Sequence, residues 1–180
     1  MKSPKVFENG LKDGSNVYVG IDQSYSGFAI ALLSGDLYRV EVYKSLLKGT
    51  DRLLDICNYL TTTLGRYSVQ DVTMEGYAYG AQMAHMAGEL GGMVKLSLII
   101  DEIYPLIVAP SMLKKYVTGK GTGVQKNQML LNIYKKWGIE FTDDNAADAY
   151  GLAKIASGWA ETAYEREVLE KLKDPKFRNV

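Results

Sequence analysis

The sequence predicts an α/β domain, a mixed sheet of three antiparallel strands followed by parallel ones, with helices on both faces. Three observations lead there. Short β-branched runs separated by turn residues open the chain, helical spacings then alternate with two further short apolar runs, and 180 residues at 47% apolar content suit one sizeable core rather than two.

The elements follow in order. Residues 1–15 are polar and without sustained period, so they are predicted to be a flexible arm, with order beginning near Asn16. Val17 to Ile21 is nearly continuous in apolar character, as a strand buried on both faces is, and Asp22 ends it. Gly27–Leu33 and Leu37–Tyr43 flank a Ser34-Gly35-Asp36 turn and complete an antiparallel meander. Thr50 is the expected N-cap of a helix over about 51–66, with Asp51 in its first turn and Leu53, Leu54, Cys57, Leu60 and Leu64 at helical spacing. A strand from Val69 to Met74 ends at Glu75, and a helix rich in small residues spans about 81–100. A strand at 106–109 stops at Pro110; helices are then expected from Ser111, over 124–137 and over 144–157. This makes 16–158 the main domain, followed by 159–180, a helix and tail that pack on it or cover a dimer contact.

Composition removes several classes of function. Cys57 and His85 are the only cysteine and histidine, which disfavours disulfides, a Cys/His zinc site and a Cys/His or Ser/His catalytic pair, and leaves oxygen ligands for any metal. His85 lies among Ala, Met and Gly and is assigned no chemistry. No stretch has the form of a signal peptide or membrane span, so a cytoplasmic protein without membrane partners is expected. The formal charge is zero, yet Lys114, Lys115, Lys120, Lys126, Lys135 and Lys136 fall in a stretch free of acids, directly before an acidic cluster. They form either a solvated helix face or a phosphate-binding one.

The carboxylates carry the chemistry. Asp22 and Glu75 each end a buried strand, where an isolated carboxylate is costly unless paired or bound to metal. Asp144 and Asp148 are four residues apart on one helix face and repel unless a cation separates them, while Asp143 and Asp144 also suit N-capping. Hard oxygen ligands suit Mg²⁺ or Mn²⁺, and an all-carboxylate cluster can hold two ions for phosphodiester hydrolysis.

Gly20-Ile21-Asp22 with Gly27, then Glu75, then Pro110, Lys114, Gly119, Gly121 and Lys126, and lastly Ala147-Asp148-Ala149, together resemble the RuvC-type Holliday-junction resolvases, particularly those of phages, within the RNase H-like superfamily. The resemblance covers about residues 17–157. It implies a homodimer that nicks branched DNA, four-way junctions above all, in paired fashion with two Mg²⁺ per site, and no nucleotide cofactor. It also implies that Asp22, Glu75 and Asp148 are metal ligands, that Lys126 approaches the scissile phosphate and that Lys120 contacts DNA, with Lys114 and Lys115 beside it. An acid or histidine usual three residues before the last Asp is replaced by Asn145, so the fourth ligand lies among Asp144, the choice favoured by its spacing from Asp148, Asn145 and Asp143. Tyr77 and Tyr79, set between Gly76 and Gly80, match the position of an aromatic that wedges into the junction, or pack as ordinary tyrosines. Rival readings are a broader nuclease of flaps or RNA/DNA hybrids, a junction-binding protein without catalysis, and a phosphate-binding module of the actin and sugar-kinase type, whose second strand repeat is absent here.

Overall fold

In the computed structural model, which describes residues 3–25, 27–76 and 84–178, the chain forms one six-stranded sheet. Its strands are β1 (Lys5–Glu8), β2 (Asn16–Asp22), β3 (Phe28–Ser34), β4 (Leu37–Tyr43), β5 (Ser68–Glu75) and β6 (Leu106–Val108), in the spatial order β1-β4-β3-β2-β5-β6. The β2–β3–β4 meander is antiparallel, and β5 and β6 add in parallel beside β2. The helices are α1 (Gly49–Leu64), α2 (Ala84–Ile100), α3 (Pro110–Thr118), α4 (Lys126–Trp137), α5 (Asp144–Ala156) and α6 (Ala163–Leu172). This is the predicted mixed sheet.

Period-2 alternation sorts the strand residues between two cores. Val17, Val19, Ile21, Phe28, Ile30, Leu32, Val72 and Met74 face α1 and α2. Ala29, Ala31, Leu33, Val40 and Val42 face the other side, where α5 lies on the sheet and α3, α4 and α6 pack around it. On β2 this second face carries Tyr18, Gly20 and Asp22. Gly20 is the point of closest approach: a Cβ there would overlap the Ala149 carbonyl oxygen and the Ala153 nitrogen of α5, both backbone atoms with little room to shift.

The expectation of a flexible arm with order beginning near Asn16 is corrected. Residues 5–8 form β1, an edge strand paired antiparallel with β4 in the register Lys5↔Val42 to Glu8↔Arg39. It is anchored by Phe7, whose ring meets Phe141 edge-on at 5.2 Å, and by Arg39, which pairs with Glu8. Four residues with one inward aromatic are too few to show a period, and the charged ends suit an unpaired edge. The expected Thr50 cap is corrected as well: α1 starts at Gly49 behind Lys48, and no side chain caps it.

The tail beyond residue 158 packs on the domain. Val168 and Leu172 of α6 enter the core, and Glu165, with no exposed surface, accepts from the Lys136 ammonium at 2.6 Å and from the Thr162 backbone N–H at 2.7 Å. A buried carboxylate needs such partners, and this pair ties α4 to α6. Among the described residues no helix is long and apolar enough to cross a membrane.

Replacing Gly20 with Ala should destabilise the fold by about 3 kcal/mol, at the upper end of overpacking effects because the collision is with helix backbone. Urea unfolding of the two proteins measures it; an unchanged midpoint would show that α5 can lift from the sheet without cost.

Candidate active site

The register of β2 against β5 pairs Ile21 with Met74, so the next residues, Asp22 and Glu75, stand side by side at the C-terminal ends of neighbouring parallel strands. Both belong to the face covered by α5. Open α/β sheets place their sites at such strand ends. With α5 held against Gly20, its first two turns overhang these carboxylates and bring Asp144 and Asp148 to them. Asp22, Glu75, Asp144, Asn145, Asp148 and Lys126 thus line one cleft of 300 Å³.

Each acid is held differently. Asp22, 5% exposed, accepts from the Ser24 backbone N–H at 3.1 Å. Asp143 is the N-cap of α5 and accepts from the Asn145 N–H at 3.1 Å, which is its capping role and keeps it out of the cleft lining. Asp144 pairs with the ammonium of Lys126 at the start of α4. Asn145 lies against Gly27, where a Cβ would crowd its side-chain nitrogen, so the glycine ahead of β3 makes room for the start of α5.

Electrostatics show a site short of positive charge. Burial, then the charges of Glu75 and Asp148, push the Asp22 carboxyl well above the usual carboxylate range. Burial and the nearby Asp148 raise Glu75 to about 8, with Lys114 opposing; burial and Asp144 raise Asp148 to about 6, with Lys114 and Lys126 opposing. Asp144 moves the other way because the Lys126 ammonium is bonded to it, and Lys126 is raised by the same bond. Three carboxylates that resist ionising together mark this cleft as a candidate functional site.

Among the described residues no group of three or more His, Cys, Asp or Glu side chains is set as a cage for a metal ion. The fit to a divalent cation is therefore one of donor chemistry: oxygen ligands, crowded negative charge, and one ammonium bonded to the outermost acid, with the lysines acting on Glu75 and Asp148 only through space.

The lysines do not form the single basic face that their clustering implied. Lys136 is committed to Glu165 and Lys115 to Glu167 at 2.7 Å, both on α6. Lys126 and Lys114 act on the cleft, and Lys120 is exposed in the loop after α3. Tyr77 and Tyr79 lie outside the described residues. His85 is exposed on the first turn of α2. Sequence reasoning missed Gln23. It is buried, lines the cleft, donates to the Glu75 carbonyl at 2.8 Å, and fills the space beside Gly91 of α2. Its only signal was its place directly after Asp22, just past the end of β2.

Among solved structures, the fold is similar to that of Thermus thermophilus RuvC, at a TM-score of 0.65 and 18% identity over 87% of this chain and 96% of that one. It is similar also to T. thermophilus RuvC in complex with Holliday junction substrate, at a TM-score of 0.65 and 19% identity over 76% of this chain and 90% of that one. The chain therefore has a RuvC-type fold. No family model matches the chain, and no curated protein does.

Because Glu75 and Asp148 have raised folded-state values, the folded protein holds protons there that the unfolded chain has released. Stability in chelator is therefore complete below the ordinary carboxylate range and is lost as pH rises through about 6 and then about 8. Thermal melts across this range should show the decline, and Glu75→Gln should flatten its upper part. A melting temperature that rises with pH in chelator would contradict the charge crowding.

Proposed function

We propose that this chain is a metal-dependent, structure-selective endonuclease that resolves Holliday junctions and other branched DNA by paired phosphodiester hydrolysis. The observation that carries this reading is the convergence of Asp22, Glu75 and Asp148 from two strand ends and one helix, on a fold shared with T. thermophilus RuvC, a protein also known in complex with Holliday junction substrate.

In this reading Asp22, Glu75, Asp148 and Asp144 would hold up to two Mg²⁺, with Mn²⁺ able to replace them. Bound there, such ions supply Lewis acidity to the phosphate and lower the pKa of the attacking water. The protein's own groups do the rest. Gln23 clips the Glu75 backbone and the Ser24 N–H orients Asp22, so two carboxylates enter the reaction already placed. Water adds to phosphorus and the bond to the 3′ oxygen breaks, leaving a 5′ phosphate and a 3′ hydroxyl. Lys126 reaches the cleft from α4 and can exchange Asp144 for the phosphate, offsetting charge that grows on its oxygens. Lys114 and the exposed Lys120 extend positive charge along the DNA path, and Tyr77 or Tyr79 would stack on opened bases at the junction centre.

Paired nicking requires two sites related by symmetry. We assign the homodimer contact to α2, where Leu96 and Ile100 are 53% and 71% exposed and the α-carbons of Gly88 and Gly92 face open space. Gly91, by contrast, faces inward on Gln23 and serves the site rather than the contact.

Cleavage of an immobile four-way junction, compared with linear duplex and an RNA/DNA hybrid, tests this function. Paired nicks confined to the junction, dependent on Mg²⁺ and reduced at least about a thousandfold by Asp148→Asn, are expected. Cutting of hybrid or flap DNA with equal rate would move the function to a broader nuclease; junction binding without cutting would leave a binding protein. Lys120→Ala should weaken binding to all these DNAs and lower the slope of log affinity against log salt by about 1. An unchanged slope would remove Lys120 from the DNA path.

A further inference from the structure

The cleft has a further cation beside it that the sequence did not single out. β4 runs parallel to β2, since both pair antiparallel with β3, and its last residue, Tyr43, stands opposite Phe28. Lys44 therefore follows at the same edge of the sheet as Asp22 and Glu75. A Cβ on Gly27 would stand 2.7 Å from the Asn145 side-chain nitrogen, 3.4 Å from Cγ1 of Val42 and 3.6 Å from Cε of Lys44. Val42 faces α5 and Asn145 lines the cleft, so the Lys44 stem lies on the α5 face, beside the first turn of that helix.

Lys44 is exposed and makes no hydrogen bond or ion pair among the described residues, whereas Lys115, Lys126 and Lys136 are each paired with an acid. Its charge reaches Asp144 and helps to keep that carboxyl ionised, while Lys114 acts on Glu75 and Asp148. The acids are thus bracketed along the sheet edge, by Lys114 of α3 beyond β6 and by Lys44 at the end of β4. In the segment that follows, Lys48 and Asp51 are exposed, Arg52 is bonded to the Tyr25 carbonyl, and Asp55 accepts from the Tyr43 hydroxyl at 2.7 Å. Adjacent strands lie about 4.8 Å apart, so about 14 Å separate β4 from β5, or about four nucleotides of a DNA strand rising about 3.4 Å each.

We propose that Lys44 grips a backbone phosphate of the cut strand on the opposite side of the scissile bond from Lys114, so that the strand crosses the acids along the sheet edge, from α3 toward the end of β4. Phosphates that pass over crowded carboxylates are repelled along their path, and a cation at each end of the row offsets that repulsion where the strand enters and leaves. A lysine, a point charge on a flexible stem, suits a backbone phosphate whatever the sequence. The inference rests on the nuclease reading and adds to it the direction in which the DNA lies.

Binding of an immobile four-way junction by the full-length protein in Ca²⁺, and its cleavage in Mg²⁺, test this. Lys44→Ala should weaken binding about five- to tenfold at low salt and lower the slope of log affinity against log salt by about 1, and Lys44→Arg should restore both. Once the cut position is mapped, single neutral methylphosphonate linkages placed on either side of it locate the contact. At one linkage on one side, Lys44→Ala should cause no further loss, and for Lys114→Ala the corresponding linkage should lie on the other side. A lysine that acted only by keeping Asp144 ionised would single out no phosphate. An unchanged salt slope, or a Lys44→Ala loss that adds in full to that of every neutral linkage, would overturn the proposal and leave the nuclease reading standing. Linkages on the same side for both lysines would overturn it too. A wild-type protein that neither binds nor cuts the junction would remove both. Lys44 is exposed, so its variants should melt as the wild type does, and the linkage scan of the wild type, with losses confined to one side of the cut, would overturn the proposal even without them.

Discussion

The contact between Gly20 and α5 is the constraint on which the rest of this molecule depends. With no side chain at the middle of β2, a helix backbone can lie directly on the sheet, and its first turns then reach past the strand end to Asp22 and Glu75. A methyl group there would hold the helix off and with it Asp148. Gly27, in front of Asn145, repeats the device at the start of the same helix. The small residues of this fold are thus spent where three carboxylates must be brought within each other's field.

That proximity sets up opposition between folding and ionisation. Hydrophobic packing of α5 on β2 and β3 brings the acids together, and their mutual repulsion resists being charged there. Lys126 bonds only Asp144, the outermost, and with Lys114 offsets the charge at Asp148 only in part. The protein is therefore stabilised by protons at these positions, and strongly shifted carboxyls gathered in one cleft are the pattern of a candidate functional site.

Much of this was legible in the residues, because the signals were local. Strand runs, helical spacings and the i, i+4 relation of Asp144 and Asp148 are properties of short windows, and they placed five of the six strands and the acids. The features that escaped reading depend on distant partners. β1 exists because β4 offers an edge and Phe141 a surface for Phe7. Lys115 and Lys136 leave the basic face because Glu167 and Glu165, some thirty to fifty residues on, claim them. Gln23 matters only once β5 and α2 flank it. The resemblance to resolvases named acids that the fold brings into one cleft, but could not say that Lys126 pairs with Asp144.

The central place of β2 has a consequence for how the molecule breathes. It is hydrogen-bonded on both sides, to β3 and β5, and covered on both faces, by α5 and by the α1–α2 layer. Its amides can exchange with solvent only through openings close to global unfolding, whereas the rims of the sheet, β1 and the three-residue β6, can fray in smaller excursions. Asp22 is rooted in the slowest-exchanging part of the chain, and Glu75 in the strand beside it. The arrangement lets loops and outer helices move while the acids keep their coordinates.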